Sequence, residues 1–238
     1  MLADRQIEVW KEEVFGPAVA SEILLDTHRI LERENSASWL VSGGRDGEKV
    51  ARSIASSPLL EGLCLSQLHI LFADERFSHD PSLLNVSQLS PFLDVLKGWG
   101  MPSENIHPFP QLGSAEEGAK AYEEEIIDLG FSKGCSVSWL SCGPDGHVAS
   151  LFPGKTHGSG LTAWENDSPK PPASRMSVSM GFIQSSLEVF LVAAQKEKRE
   201  IVEKAVRIWG DPLIPATFCQ GREKSAWRFS SLTLAQTF

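Results

Sequence analysis

A chain of 238 residues is long enough to bury a full core, and it reads as a single domain over residues 1–238. Its 42% apolar, 22% charged and 8% aromatic residues exclude global disorder. A net charge of −9 argues against non-specific nucleic-acid binding, which needs basic surface, but leaves room for a small phosphorylated ligand held by a local cluster of donors. The four cysteines, Cys64, Cys135, Cys142 and Cys219, form no C-x-x-C pair and no metal-ligand spacing, so they read as reduced thiols, mostly buried. Acidic and polar residues interrupt Met1 to Val14, and the apolar runs fall far short of a membrane span. A cytoplasmic protein without a membrane partner is the expectation.

Val19, Ile23, Leu24, Ile30 and Leu31 recur at helical spacing between Pro17 and Glu34, with Pro17 placed in the first turn. Ser38-Trp-Leu-Val-Ser42 reads as a buried strand that stops at Gly43-Gly44-Arg45-Asp46-Gly47. The stripe Val50, Ala51, Ile54 and Ala55 then predicts a helix ending before Pro58. Strand, glycine turn and helix together aim backbone N–H groups and a positive helix end at an anion. Leu68 to Ala73 is the next strand, and it delivers Asp74-Glu75-Arg76, either a solvated turn or a functional strand end. Asn85 to Trp99 predicts one kinked helix or two short ones about Pro91. Pro102 to Pro110 is a connection. Ser114-Ala-Glu-Glu117 is a capping box opening a helix to about Leu129, whose Glu123-Glu-Glu125 run reads as a solvated face.

Val137 to Ser141 predicts a buried strand that ends at Gly143-Pro-Asp-Gly-His147. Polar side chains at the carboxyl end of such a strand lie where open α/β sheets place their ligands. Asp145 offers a carboxylate there and His147 an imidazole, the side chain whose charge ordinarily changes near neutral pH. Lys155 to Ala173 lacks periodicity and reads as a long loop. Arg175 to Ser179 and Glu188 to Ala194 follow as strands, Gln195 to Ile208 as a basic helix, and Ser225 to Phe229 as a last short strand. Strands alternating with helices predict an α/β fold, Rossmann-like, with a parallel-rich sheet and helices on both faces. His28, His69, His79, His107 and His157 have no supporting context, and His69 reads as structural.

The run Gly143-Pro-Asp-Gly-His-Val-Ala-Ser-Leu-Phe-Pro-Gly154 resembles the signature of the 6-phosphogluconolactonases. Further resemblance lies in Ser42-Gly-Gly44, in Phe72-Ala-Asp-Glu-Arg76 followed by Asn85, and in Arg175-Met-Ser-Val-Ser179 after a proline pair, so that roughly residues 7–229 are covered. The resemblance implies the sugar-phosphate isomerase/deaminase-like fold and hydrolysis of 6-phospho-D-glucono-1,5-lactone, with no cofactor and no metal. A small phosphorylated sugar lactone is then the one partner implied, with the protein a monomer or weak homodimer. It further implies His147 as general base, Asp145 as its orienting partner, and Asp74 and Arg76 beside the sugar. Ser42, Gly43, Gly44, Arg45 and Asn85 would form the phosphate end, with Arg175 and either Lys196 or Lys198 as outer cations.

Two positions depart from the family pattern. The hydroxyl residue usual after Ser-Gly-Gly is replaced by Arg45-Asp46, and the Ser usual before Asn85 is Leu84. Asp46 can cap the following helix and face away, and Arg45 can supply a charge-assisted donor in place of the hydroxyl. The signature of the related glucosamine-6-phosphate deaminases runs on to an acidic residue after Asp-Gly-His, whereas Ala149-Ser-Leu-Phe-Pro-Gly154 carries none. A non-catalytic sugar-phosphate sensor is the alternative from another class, but a chain of this length leaves no room for a DNA-binding unit.

Overall fold

The computed structural model describes residues 2–155 and 160–235; His157 and part of the predicted 155–173 loop lie outside them. The chain enters on β1 (Arg5–Trp10), where Ile7 and Val9 alternate with Gln6 and Glu8 as an edge strand requires. Helix α1 (Glu12–Arg33) starts earlier than Pro17 suggests, with Glu12 and Glu13 at its positive end and Pro17 inside it. The buried strand β2 (Ala37–Val41) turns through Gly43 into α2 (Gly44–Ala55). Strand β3 (Leu68–Phe72) leads through Ala73 into the short β4 (Asp74–Arg76). Helices α3 (Asn85–Gln88) and α4 (Ser90–Gly98) are the predicted pair divided near Pro91.

The proline-marked connection contains a two-residue strand, β5 (Ile106–His107). Helix α5 (Ala115–Asp128) is capped by Ser114, whose hydroxyl accepts from the Glu117 N–H. Strand β6 (Val137–Ser141) follows. The segment predicted as a structureless loop holds β7 (Thr162–Glu165), which pairs antiparallel with β8 (Arg175–Val178). Helix α6 (Met180–Ser185), strand β9 (Glu188–Ala193), helix α7 (Arg199–Ala205) and strand β10 (Lys224–Ser230) complete the chain. Helix α7 is shorter than the 195–208 periodicity suggests, because Lys196–Lys198 forms a 3₁₀ turn before it.

Seven strands form a parallel sheet in the order β1-β10-β9-β6-β2-β3-β5, and β4-β8-β7 form a separate antiparallel one. Helices cover both faces of the large sheet, so its central strands carry apolar side chains without alternation; every residue of β9 is buried. On one face Trp39 of β2 packs against Phe92 of α4 and donates its indole N–H to Thr27 of α1 at 2.7 Å. On the other, His69 stacks on His107 and meets Phe131 after α5. From β2 the chain steps outward to β3 and β5, and from β6 it steps the other way to β9 and β10. The strand order therefore reverses between β2 and β6, which opens a crevice at their carboxyl ends. No helix among the described residues is long and apolar enough to cross a membrane.

Candidate active site

The crevice is lined from the carboxyl ends of β2, β3, β6 and β9 and from the small sheet. At its β2 end the backbone turns at Gly43 and Gly44, the latter in the left-handed region at φ +74°, and enters α2 with no side-chain cap on its first N–H groups. Those donors are left for a ligand. Gly43 has no room for a side chain: a Cβ there would lie 2.2 Å from Asn85 Oδ1. Ser42 and Asn85 also line this end.

The departure at Arg45-Asp46 resolves into two different placements. Asp46 is not a cap facing away. It is buried under the turn, accepting from Lys198 Nζ at 2.6 Å and from the Ala194 N–H at 3.2 Å. Lys198 also donates to Ser141 Oγ at 2.9 Å and lines the crevice, whereas Lys196 is exposed outside it. Of the two lysines it is Lys198 that lines the crevice, with Asp46 drawing its ammonium inward. Arg45 stands at the rim, exposed, and pairs with Glu197.

At the β6 end the turn Gly143–Gly146 reverses so tightly that a Cβ at Gly143 would lie 2.0 Å from His147 Cε1. His147 Nδ1 meets Asp145 Oδ1 at 2.5 Å, and its ring packs 5.0 Å from that of Phe152. Burial raises the Asp145 carboxyl, but the hydrogen bond and charge of His147, with Lys170 beyond, outweigh it and hold Asp145 at about 2. An ionised acceptor on Nδ1 favours, for the neutral ring, the tautomer with its proton on Nδ1 and the lone pair on Nε2. Ala149 takes a left-handed φ of +49° in the turn that follows, uncommon for a residue with a Cβ. That turn brings Ser150 Oγ to Asp74 Oδ2 at 2.7 Å.

Asp74 is buried at the end of β3, where Asn85 Nδ2 donates to its carbonyl at 2.8 Å and to Oδ1 at 3.2 Å. Glu75 faces the other way and accepts the N–H groups of Arg76, Asn85 and Val86, which fixes the start of α3. Arg76 and Arg175 are paired neighbours on β4 and β8, and both line the crevice. Arg175 is buried, with its guanidinium donating to the carbonyls of Lys170, Pro171 and Pro172. It therefore shapes the wall of the crevice rather than standing free. The crevice thus gathers Arg45, Arg76, Lys170, Arg175 and Lys198 against one lining carboxylate, Asp74, with Asp145 beside His147. In a chain of net charge −9 this is a local positive field for an anion.

Residues 11–227 match the family model described as glucosamine-6-phosphate isomerases/6-phosphogluconolactonase. The chain belongs to this family. A 6-phosphogluconolactonase of Streptomyces coelicolor is 29% identical, over 94% of this chain and 91% of its own. The crystal structure of a 6-phosphogluconolactonase from Thermotoga maritima superposes with a TM-score of 0.83, covering 95% of this chain and 100% of that one at 24% identity. A monomeric glucosamine-6-phosphate deaminase shares the fold with a TM-score of 0.78 at 16% identity, covering 97% of this chain and 98% of its own. His147, Asp74, Arg76, Asn85, Arg175 and Lys198 line one crevice, Asp145 is hydrogen-bonded to His147 beside it, and Lys196 stands outside it.

Lys170, Ser141 and Ser150 also reach the crevice although none was singled out as a site residue, and Lys170 carried no signal in the sequence beyond being an ordinary polar residue outside any glycine turn. Ser141 is the last residue of β6 and Ser150 lies within the signature run, so both were adjacent to residues already singled out. Cys142 is buried beside the crevice, and that burial pushes its thiol up to about 11, which fits packing and not nucleophilic attack.

Proposed function

We propose that this protein hydrolyses 6-phospho-D-glucono-1,5-lactone to 6-phospho-D-gluconate, the hydrolytic step of the oxidative pentose phosphate pathway, with His147 as general base. The observation that carries this reading is the His147–Asp145 pair, facing the same crevice as the uncapped Gly43–Gly44 turn. One end of the crevice suits a phosphate and the other suits proton transfer.

A δ-lactone is an activated ester, so catalysis needs a positioned water, a base and donors for the developing oxyanion. The phosphate sits at the N-terminus of α2, held by backbone N–H groups with Lys198 and Arg45 around it. Asp145 keeps the His147 proton on Nδ1, so that Nε2 takes the proton of the attacking water and afterwards returns it to the ring oxygen as the C–O bond breaks. Asp74, oriented by Ser150 and Asn85, accepts from sugar hydroxyls, and Arg76 lies beside them. The proposed reaction uses no metal and no covalent enzyme intermediate.

The test is a coupled assay on freshly generated lactone, with formation of 6-phosphogluconate followed by its oxidative decarboxylation and the spontaneous rate subtracted. Ammonia release from glucosamine 6-phosphate is measured in parallel. Lactone turnover well above background without deamination is expected. Deamination, or binding of sugar phosphates with no turnover of either, overturns the proposal.

A further inference from the structure

We propose that Lys170 is a catalytic residue of this site, whose ammonium stabilises the negative charge that develops on the lactone carbonyl oxygen. The inference rests on the lactonase reading above and assigns a role that the signature residues leave open.

Lys170 lies in the segment between β7 and β8, and its Nζ stands 3.4 Å from His147 Nδ1 and 3.8 Å from Asp145 Oδ1. It is the cation placed against the base. Neither contact uses the ammonium fully. His147 Nδ1 spends its proton on Asp145 at 2.5 Å and so offers Lys170 no lone pair. Asp145 at 3.8 Å is an ion-pair partner beyond hydrogen-bond reach.

The other cations of the crevice are already engaged. Lys198 is held by Asp46 and Ser141, and Arg45 by Glu197. Arg76 donates to the Leu83 carbonyl at 2.5 Å. Arg175 spends Nε and one terminal nitrogen on the carbonyls of residues 170–172. That last set of bonds fixes the backbone from which Lys170 projects, and Ser168 reinforces it by accepting from the Lys170 N–H at 3.2 Å and donating to the Lys170 carbonyl at 3.0 Å. The backbone of Lys170 is thus held while its side chain, 42% exposed, keeps the freedom to follow the substrate.

In the step proposed, the water oxygen bonds to the carbonyl carbon, its proton goes to His147 Nε2, and the π pair moves onto the carbonyl oxygen beside Lys170. When that pair returns, the bond to the ring oxygen breaks and His147 gives it the proton. The resulting carboxylic acid loses its proton to solvent, so both product carboxylate oxygens carry charge where one was a neutral carbonyl oxygen. A donor aimed at this position gains strength as the reaction proceeds, which is how an oxyanion site raises kcat.

The test is Lys170→Gln, with Lys170→Arg alongside, using kcat and KM on the lactone and Kd for two ligands, 6-phosphogluconate and glucose 6-phosphate. Only the first carries the carboxylate. Lys170→Gln should lower kcat by roughly a hundredfold with KM within about threefold, the cost of removing one oxyanion donor. Its Kd for 6-phosphogluconate should rise about tenfold or more, the size of one lost charge-assisted bond, while that for glucose 6-phosphate stays within about twofold. Lys170→Arg should recover part of both losses. An unchanged kcat overturns the proposal. Equal weakening of both ligands overturns it too, by placing Lys170 at the phosphate. So does a lowered kcat with unchanged 6-phosphogluconate affinity, which makes Lys170 a positioning residue acting through Asp145. A wild-type protein inactive on the lactone defeats the lactonase reading instead, and the two binding constants still report whether Lys170 meets a carboxylate.

Discussion

The buried pair Asp46–Lys198 lies beneath the Gly43–Gly44 turn, and removing one partner has a calculable cost. Asp46→Ala strands the Lys198 ammonium, whose side chain is 9% exposed, with Ser141 as its remaining partner. Leaving a buried charge uncompensated costs about 3–5 kcal/mol, and the opening toward the crevice favours the lower end, about 3. The Ala194 N–H also loses its acceptor, for about 1 kcal/mol more. A total near 4 kcal/mol corresponds to a fall of about 8–16 °C in Tm for a chain of this size. Equilibrium unfolding in urea and calorimetry measure both. The decisive variant is Asp46→Ala combined with Lys198→Met. If the stranded charge is the cause, the double variant is more stable than Asp46→Ala by about 2 kcal/mol, because an apolar replacement of both partners is often near neutral. A loss below about 1 kcal/mol in the single variant, or a double variant no more stable than the single, refutes the reasoning.

Gly143→Ala should cut lactone turnover by about a hundredfold or more while the protein stays folded, because the new Cβ would lie 2.0 Å from His147 Cε1 and 2.6 Å from Asp145 Oδ1 and must push the base aside. Steady-state kinetics with circular dichroism separates that outcome from misfolding. Burial pushes Glu75 up to about 7, with the Asp74 charge adding to it, despite the three N–H groups that hold it down. A carboxyl raised in the folded state binds its proton more tightly than the unfolded chain does, so stability is full below about pH 4.5 and falls as pH rises through about 7. The shift corresponds to at most about 3 kcal/mol, and Glu75→Gln should show a flatter profile between pH 5 and 8 in urea unfolding. The opposite sign applies to Asp145, held at about 2, whose contribution is present above about pH 4 and is lost as pH falls toward 2. Asp145→Asn should therefore weaken the acid-side loss of stability in the same measurement.

What was legible in the sequence follows the range of the interactions. The central strands were read from short buried runs, and the crevice from glycine turns directly after them, since both signals lie within a dozen residues. The strands β1, β5 and β7 were not. The alternation of β1 is brief, β5 has two residues, and β7 gains its partner in β8 across a segment without periodicity. The Glu123-Glu-Glu125 run read as a solvated face, yet Glu123 accepts from Thr162 and Glu125 meets His107 at 2.9 Å, partners 39 and 18 residues away. Asp46 failed for the same reason. Its position near a helix start suggested a cap, but its partner Lys198 is 152 residues distant, and only the pairing of the β2 and β9 ends through β6 brings the two together.

The reading of this site stands most directly on His147. Purified His147→Ala, compared with wild type on freshly generated 6-phosphogluconolactone, should keep its fold and its affinity for 6-phosphogluconate while losing at least about a hundredfold in kcat, the lower bound of a general base. Asp145 would then orient a ring that is no longer there, so adding Asp145→Asn to His147→Ala should cost little more. Turnover above about a tenth of wild type in the His147→Ala protein would contradict the account and move the base to another group of the crevice.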